Sequence, residues 1–493
     1  MKKFYITTAI DYVNANLHIG HTLEKVQADA LARYRRMLGE DVFFAIGTDE
    51  HGDKIQRSAK AAGKETQDFV DEHAEAVKKV YEGLNISNDA FVRTSDSKNH
   101  WPSVIEMWKR LEANGDLYKK KYSGLYCVGH EAFVTDKDLN DEGICEMHGK
   151  KPELVEEENY FFKLSKYSDQ IKEKITSEEF NIIPKKRENE IVSLIDQGLE
   201  DVSFSRSKDK LQWGIPVPGD ESQVMYVWAD ALTNYISVLG WAQEKDEKFK
   251  KYWPADVHVI GKDILRFHAA IWPAMLISAG IELPKALFVH DFITINGMKI
   301  SKSLGNVIDP LKLVDEYGAD AVRWYLLAEI PPTKDGDFSE EKFVARYNGD
   351  LASGMGNLLA RVVVMGEKNT SEPLKSSLVP EAEKELKIRL KAYKELMDKY
   401  AFNEAIKEAQ ALMAFTDKRI NDTRLWELPD KDEEQFKKEM ASAATIVAYI
   451  AWMLTPIIPE SAQEAANQLG IKLENKDKWE FNFKKGDALF PRL

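Results

Sequence analysis

The sequence predicts an α/β domain of the Rossmann type that is interrupted by an insertion and followed by an α-helical bundle. Three observations predict it. Strand-like and helical runs alternate through residues 1–116 and return over 223–330, as in a nucleotide-binding parallel sheet. Between them, residues 117–222 are turn-rich and carry acidic clusters such as Glu156-Glu157-Glu158, which marks an insertion between two halves of one domain. Past Pro331-Pro332, a polar stretch over 331–350 reads as a linker, and apolar residues at helical spacing dominate 351–493.

The first half opens with a β-prone run, Phe4 to Thr8, and a polar turn. Leu23, Val26, Ala30, Leu31, Tyr34 and Leu38 then fall at helical spacing. His18-Ile19-Gly20-His21 therefore stands where a strand hands over to a helix, where unpaired backbone N–H groups and the helix dipole attract phosphate. Gly20 allows close approach of a nucleotide, and His18 and His21 can donate to phosphate oxygens. Taken alone, the pair reads first as two turn histidines serving local backbone groups.

In the second half, the strand Val257 to Ile260 ends at Gly261. Alternating apolar residues lead to a turn-forming Asn296-Gly297, followed by the loop Lys299-Ile300-Ser301-Lys302-Ser303. Mobile ammonium groups can close on a triphosphate and neutralise an in-line transition state, although an ordinary solvated basic loop has the same composition. With the histidine motif upstream, the pair points to cleavage of ATP between its α and β phosphates. No Gly-x4-Gly-Lys-Ser/Thr loop is present, so the chemistry is not of the P-loop kind. Helical runs near 383–399, 403–415 and 434–454 follow Leu351, Met355, Leu358 and Leu359 and predict the bundle.

Composition bounds the function. With 493 residues and 44% hydrophobic content the chain can fill several cores. Its richest apolar stretch, Ala443 to Ile458, is broken by Thr445, Thr455 and Pro456, which argues against a membrane span. Met1-Lys2-Lys3 leads directly into a strand without a secretory segment, so the expected location is cytoplasmic. A net charge of −14 opposes indiscriminate nucleic-acid binding. RNA would need local patches, for which Lys185-Lys186-Arg187, Arg346, Arg361, Lys418-Arg419 and Arg424 are candidates. Both cysteines fall in the insertion as Cys127-x2-His130 and Cys145-x2-His148, a pattern suited to one tetrahedral structural zinc. The alternatives are a disulfide, which a cytosolic setting disfavours, and unrelated buried cysteines beside surface histidines.

At this point the chain resembles the class I aminoacyl-tRNA synthetases, and within them the methionyl-tRNA synthetases. Further landmarks carry the resemblance: Gly47-Thr48-Asp49-Glu50-His51-Gly52, Trp213-Gly214-Ile215-Pro216-Val217-Pro218, Tyr226-Val227-Trp228-Ala229-Asp230-Ala231-Leu232, and Gly261-Lys262-Asp263-Ile264 running on to Phe267-His268. It implies activation of L-methionine by ATP with Mg2+ and transfer to methionine tRNA, initiator and elongator. His18, His21, Lys299 and Lys302 become the catalytic set, with Gly20, Ser301 and Arg206 also at the nucleotide. Ile10, Tyr12, Trp228, Ala231, Tyr235, Ile264, Phe267 and His268 occupy the family's methionine pocket, and Asp49 matches its ammonium-binding carboxylate. Core packing is the alternative for the aromatic members. Asp11 stands where relatives commonly carry Pro or Tyr. In the helical domain, which the resemblance makes the anticodon-binding one, Asn357 and Arg361 lie one helical turn apart and match base-edge contacts. Trp426 matches a tryptophan that stacks on the CAU anticodon, with Leu425 in place of the usual proline; a helix-packing tryptophan is the alternative.

Three rivals are weaker. Large-aliphatic synthetases carry an editing domain for which the insertion leaves little room, and in the cysteine enzyme zinc grips the substrate thiolate, whereas both cysteines here lie outside the pocket motifs. A small-molecule nucleotidyltransferase needs no helical domain, and an idle tRNA-binding protein needs no intact lysines and histidines. The run ending at Leu493 leaves no room for an appended dimerising module, which suggests a monomer.

Overall fold

The computed structural model describes residues 1–128, 132–134, 139–145, 149–300, 305–476 and 478–493. These form two compact units, one of residues Met1–Leu17, Glu40–Tyr81 and Ser87–His290, the other of His18–Gly39, Glu82–Ile86 and Asp291–Leu493.

The first unit is built on a seven-stranded sheet in which every pairing is parallel. Lys3–Thr8 lies between Asp41–Asp49 and Val257–Gly261; Ala286–His290 and then Asn181–Ile183 extend the order, while Asp11–Tyr12 and Ala90–Arg93 also pair with Asp41–Asp49. Most positions of these strands are buried, which is why they read as apolar runs rather than as alternation. Gly47 is needed inside its strand, because a Cβ there would stand 2.2 Å from the Val92 carbonyl oxygen. Asn181–Ile183 lies within the segment expected to be an insertion, yet it pairs with Ala286–Phe288 in the main sheet. The rest of the insertion supplies a four-stranded antiparallel sheet, including the long pair Leu117–Cys127 and Glu153–Phe162, and a three-stranded sheet of Ser205–Ser207, Asp220–Met225 and Pro216–Val217.

The second unit is mostly helical. It contains Ile19–Met37, Pro310–Tyr317, Ala319–Ala328, Asn357–Asn369, Pro380–Asp398, Phe402–Asp422, Glu433–Leu454 and Pro459–Leu469. The buried residues of Phe402–Asp422 include Phe402, Ala405, Ile406, Ala409, Leu412, Met413, Thr416 and Ile420, the stripe of an amphipathic helix. Arg323 is fully buried and bonds the carbonyls of Leu84, Pro456 and Ile457 and the carboxylate of Asp29. No helix among the described residues is long and apolar enough to cross a membrane.

Candidate active site

In the first unit, the residues expected around methionine fall into two groups. Tyr12 stands opposite Asp49 in the sheet, and Asp49 closes its strand with a buried side chain. Val13 N–H donates to the Asp49 carbonyl at 3.2 Å, which holds the turn after Ile10 against that strand end. The second group is a chain of rings. Trp228 stacks on Phe267 with centroids 3.9 Å apart and planes at 11°, and the His268 ring meets Trp228 edge-on at 6.1 Å. Tyr235 Oη and His268 Nε2 are 2.6 Å apart, and His268 Nδ1 lies 3.0 Å from the Ile264 carbonyl oxygen. Since a carbonyl can only accept, Nδ1 carries the proton and the Tyr235 hydroxyl donates to Nε2. A π-helical turn over Phe267–Ile271 aims these side chains. Ala231 lies one helical turn from Trp228 on the short helix Val227–Ala231.

Three buried groups that motif reading left without a task sit beside this pocket. His51 Nδ1 donates to Asp230 Oδ2 at 2.5 Å, and His100 Nε2 donates to Asp230 Oδ1 at 2.7 Å. Burial would raise the Asp230 carboxyl, but the charge of His51 and the hydrogen bonds from both imidazoles outweigh it and hold the group below the ordinary range. His51 and Asp230 lie inside recognisable motifs, whereas nothing local marks His100.

Arg206, expected at the nucleotide, sits in the insertion. Its Nε and Nη2 donate to the two Glu157 oxygens at 3.0 and 3.1 Å, and its plane lies 4.1 Å over the Tyr126 ring. Burial would lower this guanidinium, but Glu157 more than compensates and keeps it above its usual value. Cys127 and Cys145 share a small apolar cluster with Val134, and no disulfide joins them. The Cys145 carbonyl accepts from Gly149 N–H at 2.8 Å. Two thiols gathered in one cluster are compatible with the two sulfur positions of the expected zinc knuckle. The other two expected ligands, His130 and His148, lie outside the described residues. Among the described residues, no group of three or more His, Cys, Asp and Glu is placed to hold a metal ion.

In the second unit, His18 is the N-cap of helix Ile19–Met37. Gly20 N–H donates to His18 Nδ1 and His18 N–H donates to His21 Nδ1, both at 3.1 Å, a capping box made of two imidazoles. Because each Nδ1 accepts, each neutral ring carries its proton on Nε2, as a donor. The rings lie 3.9 Å apart. A Cβ on Gly20 would come within 2.9 Å of His18 Cε1, so the glycine keeps this pair packed. The helix thus begins at Ile19, four residues before Leu23, where the apolar pattern starts. Lys299 lies on the exposed strand Met298–Lys299, paired with Ile293–Ile295 across Asn296-Gly297. Both turn residues have positive φ, 51° and 73°, the type I′ geometry that Asn-Gly favours. Ser301 and Lys302 lie outside the described residues.

Asn357 is exposed at the start of helix Asn357–Asn369. Arg361, on the same helix, pairs with Asp417 and donates to Asn421 Oδ1 at 2.8 Å. Trp426 is 49% exposed while its neighbour Leu425 is buried, so packing is the task of the leucine and the indole faces solvent. Other basic candidates are also held by carboxylates: Arg346 by Glu329 and Asp350, Lys418 by Asp422, Arg419 by Glu439.

Residues 4–145 and 137–363 match the family described as tRNA synthetases class I (M), and residues 376–489 match the anticodon binding domain of methionyl tRNA ligase. The chain is 42% identical over 514 residues to the methionine–tRNA ligase of Caldanaerobacter subterraneus subsp. tengcongensis, covering 100% of this chain and 79% of that protein. It is 44% identical over 479 residues to that of Thermotoga maritima, covering 95% of this chain and 76% of that protein. Among solved structures, Mycobacterium tuberculosis methionyl-tRNA synthetase in complex with methionyl-adenylate is similar with a TM-score of 0.94 and 37% identity, covering 100% of both chains. The apo form of that enzyme is similar with a TM-score of 0.87 and 34% identity, covering 100% of this chain and 98% of that one. Likeness at this level, running the length of both units, places the chain in the methionyl-tRNA synthetase family of the class I aminoacyl-tRNA synthetases.

Proposed function

We propose that this chain ligates L-methionine to its tRNA in two steps. The methionine carboxylate attacks the ATP α-phosphorus in line, the bond to the bridging oxygen breaks, and methionyl-adenylate and pyrophosphate form. The terminal ribose hydroxyl of the tRNA then attacks the carbonyl of the mixed anhydride, releasing AMP. The observation that carries this reading is the full-length likeness to a synthetase whose complex holds methionyl-adenylate.

The tasks divide by chemistry. His18 and His21 present Nε2–H donors to phosphate oxygens as negative charge builds on the departing pyrophosphate, with Gly20 leaving room. Lys299, Ser301 and Lys302 close on the same phosphates, and ATP is used as its magnesium complex. Asp49 takes the substrate ammonium. Ile10, Tyr12, Trp228, Ala231, Tyr235, Ile264, Phe267 and His268 enclose the thioether side chain. Arg206 is the exception among the ATP candidates, because its bidentate pair with Glu157 supports a bracing role in the insertion. One zinc held by Cys127, His130, Cys145 and His148 would stiffen that insertion. The half-exposed Trp426 stacks on an anticodon base, with Asn357 and Arg361 at base edges. The working divisions are catalytic halves 1–116 and 223–330, an insertion 117–222, a stem-contact region 331–350 and an anticodon-binding domain 351–493. A cytoplasmic monomer serving initiator and elongator tRNA is the form expected.

Amino-acid-dependent exchange of pyrophosphate into ATP tests the reading. Methionine alone among the twenty amino acids should drive exchange, and Lys302→Ala should abolish it. Exchange driven by another amino acid would move the chain elsewhere in class I.

A further inference from the structure

Residues of three sequence landmarks that the proposed chemistry leaves without a task, His51, Trp213 and Asp230, meet in the first unit around one buried carboxylate. Asp230 is 1% exposed, and its two oxygens accept from His51 and His100, which are 2% and 0% exposed. His100 is held in turn by Ser237, its Nδ1 2.7 Å from Oγ. The His51 ring meets Trp213 edge-on at 5.4 Å, and the Trp213 indole N–H donates to the Glu50 carbonyl. Strand end, aromatic loop and short helix are therefore fastened at one point.

We propose that Asp230 is a positioning residue for methionine, an inference that rests on the pocket assignment above. His51 follows Asp49 by two residues, so the clasp holds the strand end that presents the ammonium-binding carboxylate. Trp228 and Ala231 share one face of the helix Val227–Ala231, and Asp230 anchors its other side. The doubly hydrogen-bonded carboxylate thus sets the spacing between the group that takes the ammonium and the wall that takes the thioether. A purely apolar contact would leave that spacing loose, whereas two directional bonds to one buried anion fix it. The second bond also explains why the position calls for an acid: an amide offers one acceptor oxygen and turns its NH2 toward the other imidazole N–H.

The test is pyrophosphate exchange with methionine and ATP varied separately, run on the unmodified enzyme, Asp230→Asn, His51→Asn and His51→Ala, with thermal melts of each. Asp230→Asn should raise the methionine KM by roughly tenfold or more, the scale of one buried donor left without its acceptor, while the ATP KM stays within about twofold. His51→Asn places an amide N–H where Nδ1 stood and should recover most of the shift that His51→Ala produces. An unchanged methionine KM in Asp230→Asn, or equal loss for both substrates, overturns the inference. If Asp230→Asn does not fold, the two His51 variants decide, and His51→Asn behaving as His51→Ala overturns it. Absence of methionine-dependent exchange in the unmodified enzyme removes the activity reading and this inference together, whereas normal exchange with an unmoved Asp230→Asn removes the inference alone.

Discussion

His258 shows how burial sets the behaviour of one side chain. Its Nδ1 lies 2.6 Å from the Thr7 hydroxyl and its ring stacks on Tyr235 at 4.2 Å, with no solvent exposure. Burial, helped by nearby His268, pushes it well below the usual histidine value, so it stays neutral when folded. The unfolded chain binds a proton there below about pH 6.5, so stability rises with pH up to that point and falls by up to about 1.4 kcal/mol per unit below it. His258→Asn should therefore lose less melting temperature than the unmodified protein between about pH 7 and pH 5, as thermal melts would show. Trp426 is the opposite case, an indole left in solvent. Trp426→Ala should weaken tRNA use by the ~1–3 kcal/mol of one stacked base and leave methionine-dependent exchange intact, which separate aminoacylation and exchange assays would resolve. Both positions are visible in the sequence as residue types. Their difference in exposure is not, because a tryptophan beside a leucine carries no local mark of which one turns inward.

At the scale of elements, local chemistry is legible wherever neighbours in sequence do the work. Asn296-Gly297 announces its turn because few other pairs accept positive φ at both positions. The start of helix Ile19–Met37 lies earlier than the apolar spacing implies, since the cap is made by imidazoles rather than by the usual Ser, Thr, Asp or Asn. The strand Asn181–Ile183 escaped detection because three residues show no alternation; its partner Ala286–Phe288 decides its place. Arg323 illustrates the energetic side of such joins. It unites helix Ala319–Ala328 with Asp29, with the Leu84 carbonyl and with the Pro456-Ile457 turn. Arg323→Met would leave a buried carboxylate that keeps only Arg33 of these two guanidinium partners, at 2.7 Å, together with three carbonyls short of a donor. Equilibrium unfolding in urea should register a loss of about 3–5 kcal/mol, the usual result of breaking a buried pair from one side.

For the whole molecule, charge is the dominant constraint. A chain of net charge −14 must bind a polyanion through patches, and Arg346, Arg361 and Arg419 are each already held by carboxylates. Contacts to RNA phosphate would compete with those pairs and release counterions. The KM for tRNA should therefore climb steeply between about 50 and 200 mM salt while the KM for methionine barely moves, which aminoacylation kinetics would measure. The sequence by itself determined the family, the reaction class, the turn before the lysine loop and the helical stripes, since motifs and periodicities are written in adjacent residues. Only tertiary structure decided that Arg206 pairs with Glu157, that His18–Gly39 belongs to the same compact unit as Asp291–Leu493, and that Asp230 closes on His51 across 179 residues. In each case the segments that meet lie far apart in sequence, and for the two buried carboxylates the cost of losing water is tolerable only where the fold brings the partner to them; no local pattern records such a meeting.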